Sequence, residues 1–187
     1  QERAGYMERA ELMKLQERNV ARLAVAVSAL NNNTVGEKEA AVIRRFFTEL
    51  YAGEEDRKEM LARTTKVLME ARDQLRSGLE QPNQMIARLC GELRGEDHAD
   101  AAQAAYELCV RIVAADGAVG TKESEALSFI AGSLELPEAY VTEIHDRNLR
   151  ASMYDEAEEE RLIGMPAGLS VEQKREFLNQ EYRKWRS

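Results

Sequence analysis

Proline and glycine are scarce: three and eleven in 187 residues. That leaves few chain breaks and excludes a collagen-like or loop-dominated protein. Aromatic residues are also few, at 6%, and β-branched runs are short. Little sequence is therefore suited to a sheet, and no segment alternates polar and apolar residues for long. The two cysteines, Cys90 and Cys109, both sit inside apolar helical patterns. They read as reduced core thiols, not as a disulfide framework. No run of 18 apolar residues is present, so no segment reads as a membrane span. Basic residues are outnumbered, 26 against 34 acidic, for a net charge of −8. A general nucleic-acid binder needs the opposite balance to displace counterions, so nucleic acid is not an expected partner. Nucleotide-binding glycine motifs and CxxC or HxxxH spacings are missing, and Cys90, His98, Cys109 and His145 do not read as a zinc site. Two histidines and no nucleophile motif give no foothold for an enzyme. No signal peptide is visible, and the chain opens at Gln1, which reads as the start of an excised piece.

What is present is helix. Ala, Leu, Glu, Arg and Gln dominate. Apolar residues recur at helical spacing in Val20, Leu23, Val27 and Leu30, after a more polar stretch around Leu12 and Leu15 that is expected to project. Ile43, Phe46, Phe47, Leu50 and Tyr51 form one face of a second helix, ended by Ala52-Gly53. A third runs from Glu54 to Arg76, with Leu61, Leu68 and Leu75 seven apart; its acidic start suits the helix dipole. Ser77-Gly78 and Pro82 break the pattern. A short helix carries Ile86, Leu89, Cys90 and Leu93, and Gly95 resets the chain. Ala105, Leu108, Cys109, Ile112 and Val113 follow on one helix, and Leu127, Ile130 and Leu134 on the next. Thr121 is the expected N-cap there. Pro137 opens a last helix with Val141, Ile144 and Asn148. The expectation is an all-α fold of about seven helices in two pseudo-repeated antiparallel units.

The duplication is carried by one turn. Val119-Gly120-x-Lys122-Glu123 repeats Val35-Gly36-x-Lys38-Glu39 at a shift of 84 residues. Ala115-Asp116-Gly117 precedes the later turn, and Asn31-Asn32-Asn33 the earlier. Asp116 near the C-terminal end of its helix opposes the helix dipole, which calls for compensation. Two sources are open. The carboxylate can accept backbone N–H groups of the turn. Or Asp116 and Glu123, one turn into the next helix, can share a divalent cation, Ca²⁺ or Mg²⁺, with hard oxygen ligands. Glu107 and Glu125 are the acids nearest in sequence. The earlier copy keeps Glu39 but has Asn32 in place of the aspartate, so it is expected to bind a cation more weakly or serve only as a turn.

The pattern Ala-Ala-Asp-Gly-x-Val-x-x-x-Glu between two amphipathic helices resembles the TerB tellurite-resistance family, over about Val20 to Leu149. The resemblance implies an all-helical bundle of two related halves and a bacterial stress-response role. It also implies an acidic metal-binding surface, and partners among stress-response proteins. The earlier copy departs from the motif at Asn32-Asn33.

Beyond residue 149 the composition changes. Residues 150–161 read as an acidic linker (Asp155, Glu156, Glu158, Glu159, Glu160). Residues 162–187 hold a helix from Ser170 with Lys174, Arg175, Arg183, Lys184 and Arg186, and the aromatics Phe177, Tyr182 and Trp185. Leu162-Ile163-Gly164-Met165, Ser170-x-Glu172 and Tyr182-Arg183-Lys184 resemble the start of a J domain, and the pattern is still helical at Ser187. The His-Pro-Asp signature is absent. This resemblance implies chaperone partners and a bacterial co-chaperone setting. The domains expected are thus 1–149, 150–161 and 162–187. The expected role is non-catalytic protein interaction, with a J-protein regulatory fragment as the alternative. The expected place is the cytoplasm, with peripheral association at the inner face of the membrane as the second option.

Overall fold

The computed structural model describes residues 2–30, 34–95, 98–115 and 119–148, together with 170, 173 and 177; side chains are described from Leu12 onward. Seven helices account for most of these residues. They are α1 (Glu2–Ser28), α2 (Glu37–Leu50), α3 (Arg57–Arg76), α4 (Pro82–Glu92), α5 (Ala99–Ala114), α6 (Thr121–Ser133) and α7 (138–148). No strand occurs among the described residues. The chain divides into two compact units, Gln1–Asn148 and Leu149–Ser187. All seven helices belong to the first.

The composition explains why α1 lies at the centre. From Val20 to Val27 the residues at helical spacing are apolar, and small Ala21, Ala24 and Ala26 fill the other sides. All of these are buried. A helix apolar all round must be enclosed, and α1 packs against α3, α4 and α5. Ala102 and Ala105 on α5 belong to the same buried core as the alanines of α1, and small residues on two packed helices let their backbones approach closely. Each buried Leu or Val there contributes about 1.5–3 kcal/mol relative to exposure. Helices α1 and α5 are the equivalent helices of the two halves, so the duplicated units face each other through their entry helices. α6 starts 84 residues after α2, as the repeated motif requires.

Polar clips tie the bundle at its surface. Glu80, in the α3–α4 connection, receives two bonds from Arg88 at 3.0 and 2.9 Å and one from Gln74 at 2.9 Å. Gln74 in turn accepts Arg22 of α1 at 3.0 Å. Burial lowers the Arg22 guanidinium below its ordinary value, while the bond to Glu80 raises Arg88 above it. α7 is pinned to α5 by Tyr106 hydroxyl and His145 Nε2 at 2.8 Å, their rings stacked at 6.1 Å. Tyr140 adds a bond to the Gln103 carbonyl at 3.1 Å.

Three local expectations change. Leu50 is not part of the buried stripe of α2: it is 48% exposed, while Ile43, Phe46, Phe47 and Tyr51 are buried. It sits at the last position of α2, where a groove opens. Thr121 is the first residue of α6, not its cap; the cap is Gly120. Pro82 does more than break the chain, since it is the first residue of α4, where its missing N–H costs nothing. The polar start of α1 does project: Met13 and Leu15 are 61% and 50% exposed.

Candidate functional site

The two copies of the Val-Gly-x-Lys-Glu motif fold alike. Gly36 and Gly120 cap α2 and α6 with extended backbones, φ −73° and ψ 169° in one, φ −73° and ψ 161° in the other. Their carbonyls accept the N–H groups of Ala40 and Ser124, both at 3.0 Å. In the later turn the Glu123 carboxylate folds back and accepts the N–H of Gly120 at 2.7 Å. This is the glutamate half of a capping box, in which a residue three positions into the helix satisfies a donor the helix cannot. It also explains why Thr121 is not needed as a cap. The negative charge lies at the positive end of α6, which favours it.

Glycine at the cap leaves room for the glutamate to lie close over it. A Cβ on Gly120 would stand 3.1 Å from Glu123 Oε2, and one on Gly36 only 2.2 Å from Glu39 Oε2. Glu39 therefore lies over its glycine as Glu123 does. Burial distinguishes them: Glu123 is 7% exposed, whereas Glu39 is half-buried.

Asp116 and Asn32, the residues by which the two turns differ, lie outside the described residues. The expected approach of Asp116 to Glu123 is therefore not placed. Of the neighbouring acids, Glu107 is held by Arg111 at 2.7 Å and Arg147 at 3.5 Å, and Glu125 is exposed on α6. Among the described residues no group of three or more His, Cys, Asp or Glu could hold a metal ion.

The remaining reactive side chains are occupied or buried. His98 Nδ1 meets Gln16 Nε2 at 2.7 Å, and His145 is bonded to Tyr106. Cys90 and Cys109 are free thiols in the core. Burial pushes Cys90 up to about 12 and Cys109 higher still, so neither is a thiolate near neutral pH. The Tyr51 hydroxyl is enclosed by Thr64 at 2.9 Å and Glu17 at 3.2 Å, and burial raises it to about 12.

Two surface grooves flanking α1 were not legible as sites in the sequence. One, of about 460 Å³ between α1 and α3, is lined by Lys14, Arg18, Arg63 and Lys66 with Glu17 and Glu70. The other, of about 410 Å³, lies on the side of α2 and α5, with Met13, Leu50 and Phe47 among its apolar residues. Each draws on several helices, so no single segment announces it. The one available signal was Leu50, an apolar residue at the end of an otherwise buried stripe.

The sequence model of the family described as tellurite resistance protein TerB matches residues 17–146. That span runs from within α1 to within α7 and takes in both turns. No curated protein and no solved structure matches the chain.

Proposed function

The chain belongs to the TerB tellurite-resistance family, and from that premise we propose that it is a non-catalytic stress-response module. It acts by binding other proteins and holds one weak divalent-cation site at Asp116 and Glu123. The observation that carries the site is the fixed Glu123 carboxylate, nearly buried at the start of α6, with Asp116 on the connection from α5. A cation is disfavoured at a helix N-terminus and favoured at a C-terminus. Asp116, just past α5, is then the principal ligand and Glu123 the supporting one. Ca²⁺ takes roughly six to eight oxygens, so turn carbonyls and waters complete the set and affinity is low. Calorimetric titration of the whole chain with Ca²⁺, Mg²⁺ and Zn²⁺ tests this. Heat is expected for Ca²⁺ or Mg²⁺, lost in Asp116→Ala and weakened in Asp116→Asn, which mimics the earlier turn. No heat with any ion reduces the turn to architecture.

The absence of catalysis is part of the proposal and is supported by the tied histidines and the buried thiols. Partners are then stress-response or chaperone proteins, and the place is the cytoplasm or the inner face of the membrane. No helix among the described residues is long and apolar enough to cross a membrane.

A second reading, a regulatory fragment of a J-domain co-chaperone, is favoured by one observation. Ser170 Oγ accepts the N–H of Gln173 at 3.3 Å, and Gln173 Oε1 accepts that of Ser170 at 2.8 Å. This full capping box starts a helix where the J-like resemblance places one. The other residues that carry the resemblance, Leu162 to Met165, Glu172 and Tyr182 to Lys184, lie outside the described residues. Reading the coding sequence past Ser187 tests it: His-Pro-Asp soon after supports the fragment, and its absence sinks it.

A further inference from the structure

The groove on the α2 and α5 side of α1 has an apolar floor and an acidic rim. Val20 and Phe47 are buried at its base, and Met13 and Leu50 stand 61% and 48% exposed along it. Its carboxylates are Glu17, Glu54 and Asp100, and among the described residues no lysine, arginine or histidine lines it. Glu17 shares its charge with Arg63 at 3.3 Å. The rim's free charge is therefore that of Glu54 and Asp100, both exposed and in no ion pair among the described residues. Lys14 and Arg18 of α1 line instead the groove toward α3, together with Arg63 and Lys66.

We propose that the acidic groove seats a basic amphipathic helix of a partner protein. Exposed apolar side chains set among polar ones mark an interaction surface. A groove between helices, with no strand edge among the described residues, takes an apolar helical stripe at i, i+3, i+4 and i+7 spacing. The occupant's charge follows from the rim. Carboxylates facing solvent around an apolar floor attract lysine and arginine and reject acidic partners. This groove paired with itself in a second copy would bring Glu54 and Asp100 against their own equivalents, and nucleic acid would bring phosphates, so both are disfavoured. The inference rests on the protein-interaction reading above and names its surface.

The test uses the whole chain and a fluorescein-labelled helical peptide of about 18 residues, with leucines at the stated spacing and lysines elsewhere. Saturable anisotropy is expected at about 10 µM, weakening with added salt. Glu54→Lys with Asp100→Lys should weaken it about tenfold or more, as should Leu50→Ser. Glu70→Lys, in the groove toward α3, should leave it unchanged, and a glutamate-for-lysine peptide should not bind. Circular dichroism melts confirm that these exposed changes leave the fold intact. Binding that survives both the charge reversal and Leu50→Ser overturns the groove but leaves the interaction reading standing. No saturable binding up to about 1 mM also overturns the groove. The interaction reading is then decided by cross-linking the chain in cells under tellurite stress, which does not use the peptide.

Discussion

At position 123 the chain places a carboxylate 7% exposed, and its best-defined task is to hold the N–H of Gly120 at 2.7 Å. Removing the acceptor leaves a helix-terminal donor unsatisfied in a half-enclosed place. Glu123→Ala should therefore cost about 1–2 kcal/mol. Glu123→Gln keeps an acceptor oxygen at the same reach, as the capping box allows, and should cost less than about half of that. Urea unfolding of the two variants checks the order, and equal losses would mean that charge rather than the cap matters. The same geometry at the earlier turn makes Gly36→Ala informative. A methyl there would meet Glu39 Oε2 at 2.2 Å, the far end of a flexible side chain, so the glutamate must swing away. The cost should be small, and it should vanish in a Glu39→Ala background, where nothing stands in the way of the methyl. The repeated motif made the glutamates legible as a pair in the sequence. It did not show that the first partner of Glu123 is the backbone three residues back, because a metal site and a cap use the same residue type at the same spacing.

Among the helices, the end of α6 carries the clearest local strain. Glu135 has φ 55°, the left-handed region, where it closes the helix: its N–H bonds to the Gly132 carbonyl at 3.2 Å and that of Leu136 to Ala131 at 3.1 Å. Glycine ordinarily fills this place, as Gly53 and Gly78 do after α2 and α3 at φ 93° and 72°. A side chain there costs about 1 kcal/mol. The ion pair of Glu135 with Arg94 offsets little of it, since both side chains are 60% exposed or more. Glu135→Gly should raise stability by about 0.5 kcal/mol after the extra freedom of the unfolded glycine is counted. Gly53→Ala should lower it by a similar amount or more. Calorimetric melting temperatures moving in opposite directions confirm the pair of effects; a fall in Glu135→Gly would show that the ion pair dominates. Gly53, Gly78 and Gly95 marked the helix ends in the sequence because glycine names its own conformation. The end of α6 carried no such mark, and only the apolar period stopping at Leu134 pointed to it. The helical stripes of α4, α5 and α6 were fully legible, since one buried face at a regular spacing dictates them. Leu50 departs from its buried stripe because periodicity gives the face of a residue but not what covers it.

Over the whole molecule, legibility follows sequence distance. The duplication and the all-helical class follow from patterns within one helix and one turn. The enclosure of α1 could be read only in part, and the two grooves beside it not at all, since each is assembled from side chains far apart along the chain. The same assembly buries several weak acids in one core, and this sets how the fold responds to alkali. Cys90, Tyr51 and Tyr106 are raised by burial to about 12, from ordinary values of 9.0 for the thiol and 10.0 for the phenols, and Cys109 is raised further. A group whose folded value is raised holds its proton more tightly in the folded chain than in the unfolded one. Its contribution to stability is complete below the unfolded value and is lost as pH rises through the window up to the folded value. The thiols thus begin to destabilise the fold above about pH 9 and the phenols above about pH 10, each by up to about 1.4 kcal/mol per pH unit. Melting temperature should fall with rising slope across this window. The double variant Cys90→Ala, Cys109→Ala starts from a lower stability because of the cavities it creates. Its curve should nevertheless stay flat between about pH 9 and pH 10 and fall only where the phenols take over. A disulfide-exchange reagent should find neither thiol in the folded chain at about pH 8, and both after denaturation. If the double variant falls as early and as steeply as the natural chain, the thiols are not what the core protects from ionisation, and the alkaline limit belongs to Tyr51 and Tyr106 alone.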